Sequence, residues 1–246
     1  MIKNESEIIK MNIALLTAAG VGSRMGQDIP KQFIHVNNKP LIIYTLEAFE
    51  KHPNIDAIIV VTLPSWIDVL KAYAKQFNIT KLKWIIPGGE DGQESIYNGI
   101  KEIEKHCSGD DVVMIHDGNR CLVSSEIISS NLATFKKYGD AVTAIPVVEV
   151  VFQSEKGDVS KDVLDRDKLW RTQTPHTYTL KKLLWAHNEA KVRNLKRTAA
   201  TCELMALLGE DVHFSKGSEE NLKITTTDDM KIFSALLNVK QEGWLK

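Results

Sequence analysis

The sequence has almost no net charge: 31 Lys and Arg stand against 32 Asp and Glu, a formal charge of −1. A protein that neutralises many phosphates along a duplex carries a net basic face. A nucleic-acid polymer is therefore not expected as a partner, and any anion binding should be local. Cysteine is scarce. Cys107, Cys121 and Cys202 form an odd, widely spaced set with no C-x-x-C, which argues against a disulfide framework or zinc ribbon and for a reducing, cytoplasmic setting. Long apolar runs are also missing: none approaches the ~20 residues needed to cross a bilayer, so no membrane association is expected. The polar start MIKNESEIIK lacks the apolar centre of a secretory signal.

What is present is ordinary globular usage, 43% hydrophobic and 26% charged over 246 residues. That excludes collagen-like and wholly disordered chains, and leaves room for one large α/β domain or two small ones. Apolar runs at 11–18, 57–62, 83–87, 112–116 and 141–147 read as buried strands. Between them, helical spacing covers 41–52 (opened by Pro40), 64–77, 95–106 and 124–138. Strands alternating with helices predict a mostly parallel sheet with right-handed crossovers. Residues 148–170 alternate, carry Gly157 and many charges, and read as a projecting β-arm. Helices at 180–191, 201–208 and 228–237 and short strands at 212–215 and 222–225 complete the expectation. With no repeat, low-complexity tract or linker, residues 1–246 are expected to form a single domain, the arm being an excursion from it.

The strongest local signal follows the first strand: Ala18-Ala19-Gly20-Val21-Gly22-Ser23-Arg24-Met25-Gly26, then Pro30-Lys31-Gln32. In an open parallel sheet, ligands bind beyond the carboxyl ends of the strands, where this loop sits. Glycines let the backbone approach an anion, and successive N–H groups can cradle it. Arg24 and Lys31 add cations. The glycine spacing fails the dinucleotide fingerprint, since Met25 stands where its third glycine belongs, and no G-x-x-x-x-G-K-[ST] occurs,.

This loop, read with GGEDGQES at 88–95, HDGNR at 116–120, DRDKLWRTQTP at 165–175 and NLKITTTDD at 221–229, resembles the CTP-dependent polyol-phosphate cytidylyltransferase family. That group includes the methylerythritol-phosphate and ribitol-phosphate enzymes. The motifs stand in the family's order over nearly the whole chain. The resemblance implies a Rossmann-like three-layer nucleotidyltransferase fold and a reaction in which a polyol phosphate attacks the α-phosphorus of CTP and releases pyrophosphate. It implies catalytic roles for Arg24, Lys31 and Lys223, and substrate contacts from Arg166, Asp117 and Arg120. Nucleotide contacts would come from Ala18, Ala19, Gly20, Gly22, Gly88, Gly89 and Ser95. A Mg²⁺ ion would sit near Asp117, and the arms of two copies would pair in a homodimer. Read by itself, Ser95 at a helix start is also an ordinary N-cap, and the other histidines, His187 among them, read as solvated or capping.

The chain departs from the family's pattern at Gly92, Cys121, Glu149-Val150 and Ala199-Ala200, where the family carries Arg, Pro, an Asp-Thr pair and a carboxylate. These departures point to an altered acceptor pocket. The PKQFI and PSWI stretches resemble the ribitol enzymes more. Rival readings are a non-catalytic nucleotide-binding protein on the same scaffold and a transferase for another nucleotide.

Overall fold

A computed structural model describes residues 10–20, 29–196 and 198–242. In chain order the elements are β1 (Asn12–Ala18), β2 (His35–Val36), β3 (Lys39–Pro40), α1 (Leu41–Lys51), β4 (Ala57–Thr62), α2 (Ile67–Gln76), β5 (Leu82–Pro87), α3 (Gly92–Glu104) and β6 (Val112–Asp117). Then follow α4 (Ser125–Tyr138), β7 (Asp140–Pro146), β8 (Val151–Gln153), β9 (Asp162–Leu164), β10 (Trp170–Thr179), α5 (Leu180–Val192), α6 (Thr201–Leu207), β11 (Phe214–Lys216) and α7 (Thr227–Glu242).

The central sheet has the order β11-β7-β10-β6-β1-β4-β5. Only β10 runs against its neighbours, pairing antiparallel with β6 and β7; the other pairings are parallel. Strand β1 is apolar on both faces because both are covered. Ile13 and Leu15 point toward α3, α5 and α6, where Ile100, Leu183 and Met205 pack. Ala14 and Leu16 point toward α1, α2 and α4, where Leu46, Leu70 and Ile128 pack. A smaller cluster fastens α7 through Phe233 to Leu41, Leu122 and Ile224. The result is the three-layer α/β arrangement read from the sequence. No helix among the described residues is long and apolar enough to cross a membrane.

Local chemistry sets the helix ends. Ser124 caps α4 by accepting from the Ile127 amide at 3.3 Å, and Gly139 closes it at φ 85°, a left-handed geometry that glycine adopts without a Cβ penalty. The arm is a hairpin of β8 and β9 in which Phe152 lies opposite Val163.

One expected strand is absent and one strand was not anticipated. Residues 222–225 are not a strand. They form a segment without regular secondary structure docked on the loop after β6, with the Ile224 amide on the Asn119 carbonyl at 3.0 Å. Strand β10 was not legible, since WRTQTPHTYT lacks an apolar period and contains Pro175. A register shift between Thr172 and His176 accommodates the proline, which has no N–H for a ladder.

Because the chain leaves β1 for β4 on one side and later returns to β6 on the other, the order reverses at β1. A crevice outside the carboxyl ends of β1, β4 and β6 follows from that switch.

Candidate active site

The first wall of the crevice is the end of β1. The Ala18 carbonyl accepts from Gln32 Nε2 at 2.5 Å and from Thr62 Oγ1 at 3.2 Å, and Gln32 Nε2 also reaches the Gly20 carbonyl at 3.2 Å. Gln32 is buried, so the PKQ motif works as a strut: its glutamine pins the start of the glycine loop while Lys31 lines the pocket. Arg24 and Gly22 lie outside the described residues.

The second wall is the turn before α3. Asp91 caps this helix by accepting from the Glu94 amide at 2.8 Å, so the capping reading of Ser95 is corrected. The helix begins earlier than its apolar period indicates, and Ser95 sits within the first turns. It is buried, and its hydroxyl accepts from the Gly89 amide at 3.0 Å. Gly88 donates to the Thr62 carbonyl at 2.8 Å. A Cβ on Gly88 would come within 2.4 Å of the Ala19 Cβ, so the turn packs directly against the Ala19 side chain. Gly88→Ala is expected to cost about 1–3 kcal/mol through overpacking, read as a lowered melting temperature. An unchanged melting temperature would mean that the two segments part freely.

The third wall joins three sequence motifs. Asp117, at the end of β6, accepts from Lys223 Nζ on Oδ1 and from Arg120 Nε on Oδ2, both at 3.0 Å. Arg120 Nη1 also donates to the Asn221 carbonyl at 2.7 Å. Asn221 Nδ2 in turn donates to the Thr174 carbonyl at 2.9 Å, which ties the NLK segment to the QTP segment. Burial would raise the Asp117 carboxyl, but the charges of Lys223 and Arg120 outweigh it and hold the group well below the usual carboxylate range,. Asp117 is therefore an anion at any working pH. Its neighbour His116 is fully buried, and burial pushes the ring down to about 4, so it is neutral.

These walls enclose a pocket of about 440 Å³ lined by Ala18, Ala19, Gly20, Lys31, Gly89, Ser95, Asp117 and Lys223 among others. A smaller pocket of about 190 Å³ lies beside it, lined by Arg120, Arg171, Gln173 and Lys223. Lys223 lines both. Arg166 is not brought to either: it stands exposed on the arm, with Nη1 donating to the Val148 carbonyl at 2.9 Å. Gly88 lies behind Gly89 and does not line the pocket itself. Among the departures, Gly92, Ala199 and Ala200 line the larger pocket. Cys121 does not. It is buried in the cluster under α7 with Sγ on the Leu41 carbonyl at 3.3 Å, and burial pushes its thiol up to about 12; its departure concerns packing. Val150 is exposed at the base of the arm.

Sequence reasoning missed the polar side chains at the back of the larger pocket. Gln93 accepts from the amide and hydroxyl of Thr198 through Oε1, at 3.2 and 3.1 Å. His187 is buried, not solvated, and lines the pocket with Thr201; His187 Nε2 and Thr201 Oγ1 have no partner among the described residues. The helical spacing of His187 with Leu183 and Ala190, both buried, was the available signal that this ring faces inward.

Known proteins resemble this chain over most of its length. Residues 12–239 match the family described as IspD, 2-C-methyl-D-erythritol 4-phosphate cytidylyltransferase. A ribitol-5-phosphate cytidylyltransferase of Lacticaseibacillus paracasei is 42% identical over 94% of this chain and 100% of its own. A 2-C-methyl-D-erythritol 4-phosphate cytidylyltransferase of Clostridium botulinum is 37% identical over 92% of this chain and 97% of its own. Among solved structures, the 4-diphosphocytidyl-2C-methyl-D-erythritol synthase of Anaerococcus prevotii shares the fold, with a TM-score of 0.79 at 23% identity over 93% of this chain and 96% of that one. The protein is thus a member of the IspD cytidylyltransferase family.

Proposed function

We propose that this chain transfers CMP from CTP to a polyol phosphate, with ribitol 5-phosphate the first acceptor to try, and releases pyrophosphate. The observation that carries this reading is the position of Lys223. It stands between a pocket of nucleotide size and a smaller one bearing Arg120 and Arg171, where a cation can hold an acceptor phosphate against the α-phosphorus. An oxygen of the acceptor phosphate attacks that phosphorus, the bond to the bridging oxygen breaks, and pyrophosphate leaves with the electron pair. Little covalent work falls to the protein, so positioning and charge stabilisation dominate. Lys31 and Arg24 neutralise the triphosphate, and Lys223 orients the acceptor phosphate. Asp117 fixes Lys223, while Arg120 presents a second donor to the acceptor. The base is read at Gly89 and Ser95, and the 42% identity to a ribitol enzyme favours ribitol 5-phosphate over methylerythritol phosphate.

Mg²⁺ suits the donor set. Asp117 is ionised, and each carboxylate oxygen engaged by a cation retains a lone pair,. The described residues contain no cluster of three or more His, Cys, Asp or Glu arranged to hold a metal. A hard ion of this kind keeps water and phosphate ligands and needs few from the protein; Asp117 would supply one. When bound, the ion neutralises phosphate charge.

Arg166, remote from both pockets of its own chain, is proposed to reach the acceptor of a second copy through pairing of the arms. Phe152 and Val163, opposite each other on the hairpin and both exposed, give that pairing an apolar face. The three cysteines are free and suit a cytoplasmic setting.

The test is pyrophosphate release from CTP over a panel of polyol phosphates. Turnover with ribitol 5-phosphate is expected. A CTP-dependent rise in melting temperature without turnover on any acceptor would instead leave a nucleotide-binding protein.

A further inference from the structure

The hydrogen bonds beneath Asp117 have a direction that the atoms themselves dictate. His116 Nε2 faces the Arg120 carbonyl at 3.2 Å. A carbonyl only accepts, so Nε2 carries the proton. A neutral imidazole has one N–H, which leaves Nδ1 bare. Nδ1 faces Thr174 Oγ1 at 3.0 Å, so the threonine hydroxyl donates to it. The same oxygen accepts from the Asp117 amide at 3.0 Å. The chain therefore runs from the Asp117 amide to Thr174, from Thr174 to the His116 ring, and from the ring to the Arg120 carbonyl. With one proton on the ring, no reversal satisfies all three contacts.

This relay clamps the backbone at both ends of the HDGNR turn. One end carries the Asp117 carboxylate and the other the Arg120 guanidinium, the two groups that meet over Lys223 and the smaller pocket. The ring cannot wander: it is fully buried and lies against Phe49, with centroids 5.1 Å apart. His116 touches neither pocket.

We infer that His116, acting through Thr174, is a positioning residue that holds Asp117 and Arg120 in register with Lys223, so that its loss impairs the acceptor side of the reaction and spares nucleotide binding. The kinetic part rests on the cytidylyltransferase reading above.

Thr174→Val keeps the side-chain shape and deletes the hydroxyl. It is expected to raise the KM for the polyol phosphate and lower kcat, together about 100-fold in kcat/KM, with the KM for CTP within about threefold of wild type. Thr174→Ser restores the hydroxyl and should recover most of the loss, while His116→Leu should reproduce the Thr174→Val pattern. A merely structural role predicts instead that KM for CTP and melting temperature deteriorate together with kcat. That result, or a Thr174→Val enzyme with wild-type kinetics, would overturn the inference. Ring-nitrogen NMR of His116 in the intact wild-type protein is independent of turnover: protonated Nε2 with bare Nδ1 supports the relay, and the opposite tautomer ends it. If the wild type forms no product with any acceptor, the function falls while the tautomer still decides the relay.

Discussion

Lys223→Ala is expected to lower kcat/KM about 1000-fold while leaving the fold essentially intact. The first half follows from where the amine stands. It is the cation shared by the two pockets, bonded at 3.0 Å to an aspartate that is itself held ionised. A preorganised donor aimed at developing charge is worth about 100- to 1000-fold in rate when deleted, and loss of acceptor orientation adds to it. The second half follows from exposure. The Lys223 side chain is 45% exposed, and a partly exposed ion pair contributes about 0–1 kcal/mol to stability. Asp117 also retains Arg120. Steady-state kinetics beside a melting curve separates the two effects. A mutant within about threefold of wild type would remove Lys223 from the mechanism, and a large fall in melting temperature would make it a structural residue. Lys223→Arg is a poor substitute, since a planar fork does not replace a compact ammonium.

Acid should destabilise the protein steeply between pH 6.5 and 4. His116, His176 and His187 are buried, and burial pushes each ring down to about 4. In the unfolded chain a histidine titrates near 6.5. Between those values the unfolded state takes up protons that the folded state refuses, so stability falls as pH falls and is level above about 7. Each ring contributes up to about 1.4 kcal/mol per pH unit, so three together approach about 4 kcal/mol per unit at the steepest. Against a typical total of about 5–15 kcal/mol, a large share of the stability is lost by pH 5. Melting curves at pH 7.5 and 5.5 should differ by about 10 °C. Asp117 acts in the same sense further down: its lowered carboxyl stabilises the fold above the ordinary carboxylate range, and that contribution is lost only in stronger acid. A melting temperature that stays level from pH 7.5 to 5 would show that these rings are not held neutral.

The layers were legible where burial leaves a plain chemical mark. Strands β1, β4 and β6 are apolar on both faces because helices cover both, and their sequences contain little else. Strand β10 escaped because most of its buried residues are polar: Gln173, Thr174, His176 and Thr177 stand there beside Pro175 and Tyr178, with Gln173 and Thr174 bonded to the 218–221 segment and Thr177 to Asn131 of α4. The start of α3 was placed late for a related reason. An apolar period begins after the first turn, whereas the cap, Asp91, lies upstream among polar residues. For the site, the motifs picked out Lys31, Asp117, Arg120 and Lys223, and the fold brings these to adjoining pockets. His187 and Thr201 were hidden because a lone polar residue on an apolar helix face carries no local sign of what it faces.

The bond between Asp117 and Lys223 spans 106 positions of sequence, and the helix that secures the Lys223 segment through Ile224 and Phe233 comes later still. Proteins emerge from the ribosome amino end first, and folding can begin before synthesis ends. A nascent chain will have displayed its glycine loop, its GG turn and Asp117 long before the lysine exists. Until then Asp117 has Arg120 but not Lys223 as a bonded cation, and the acceptor lacks the amine proposed to hold it against the nucleotide. On the proposed role of Lys223, a fragment broken off before residue 223 lacks the group that presents the acceptor, whatever nucleotide it holds.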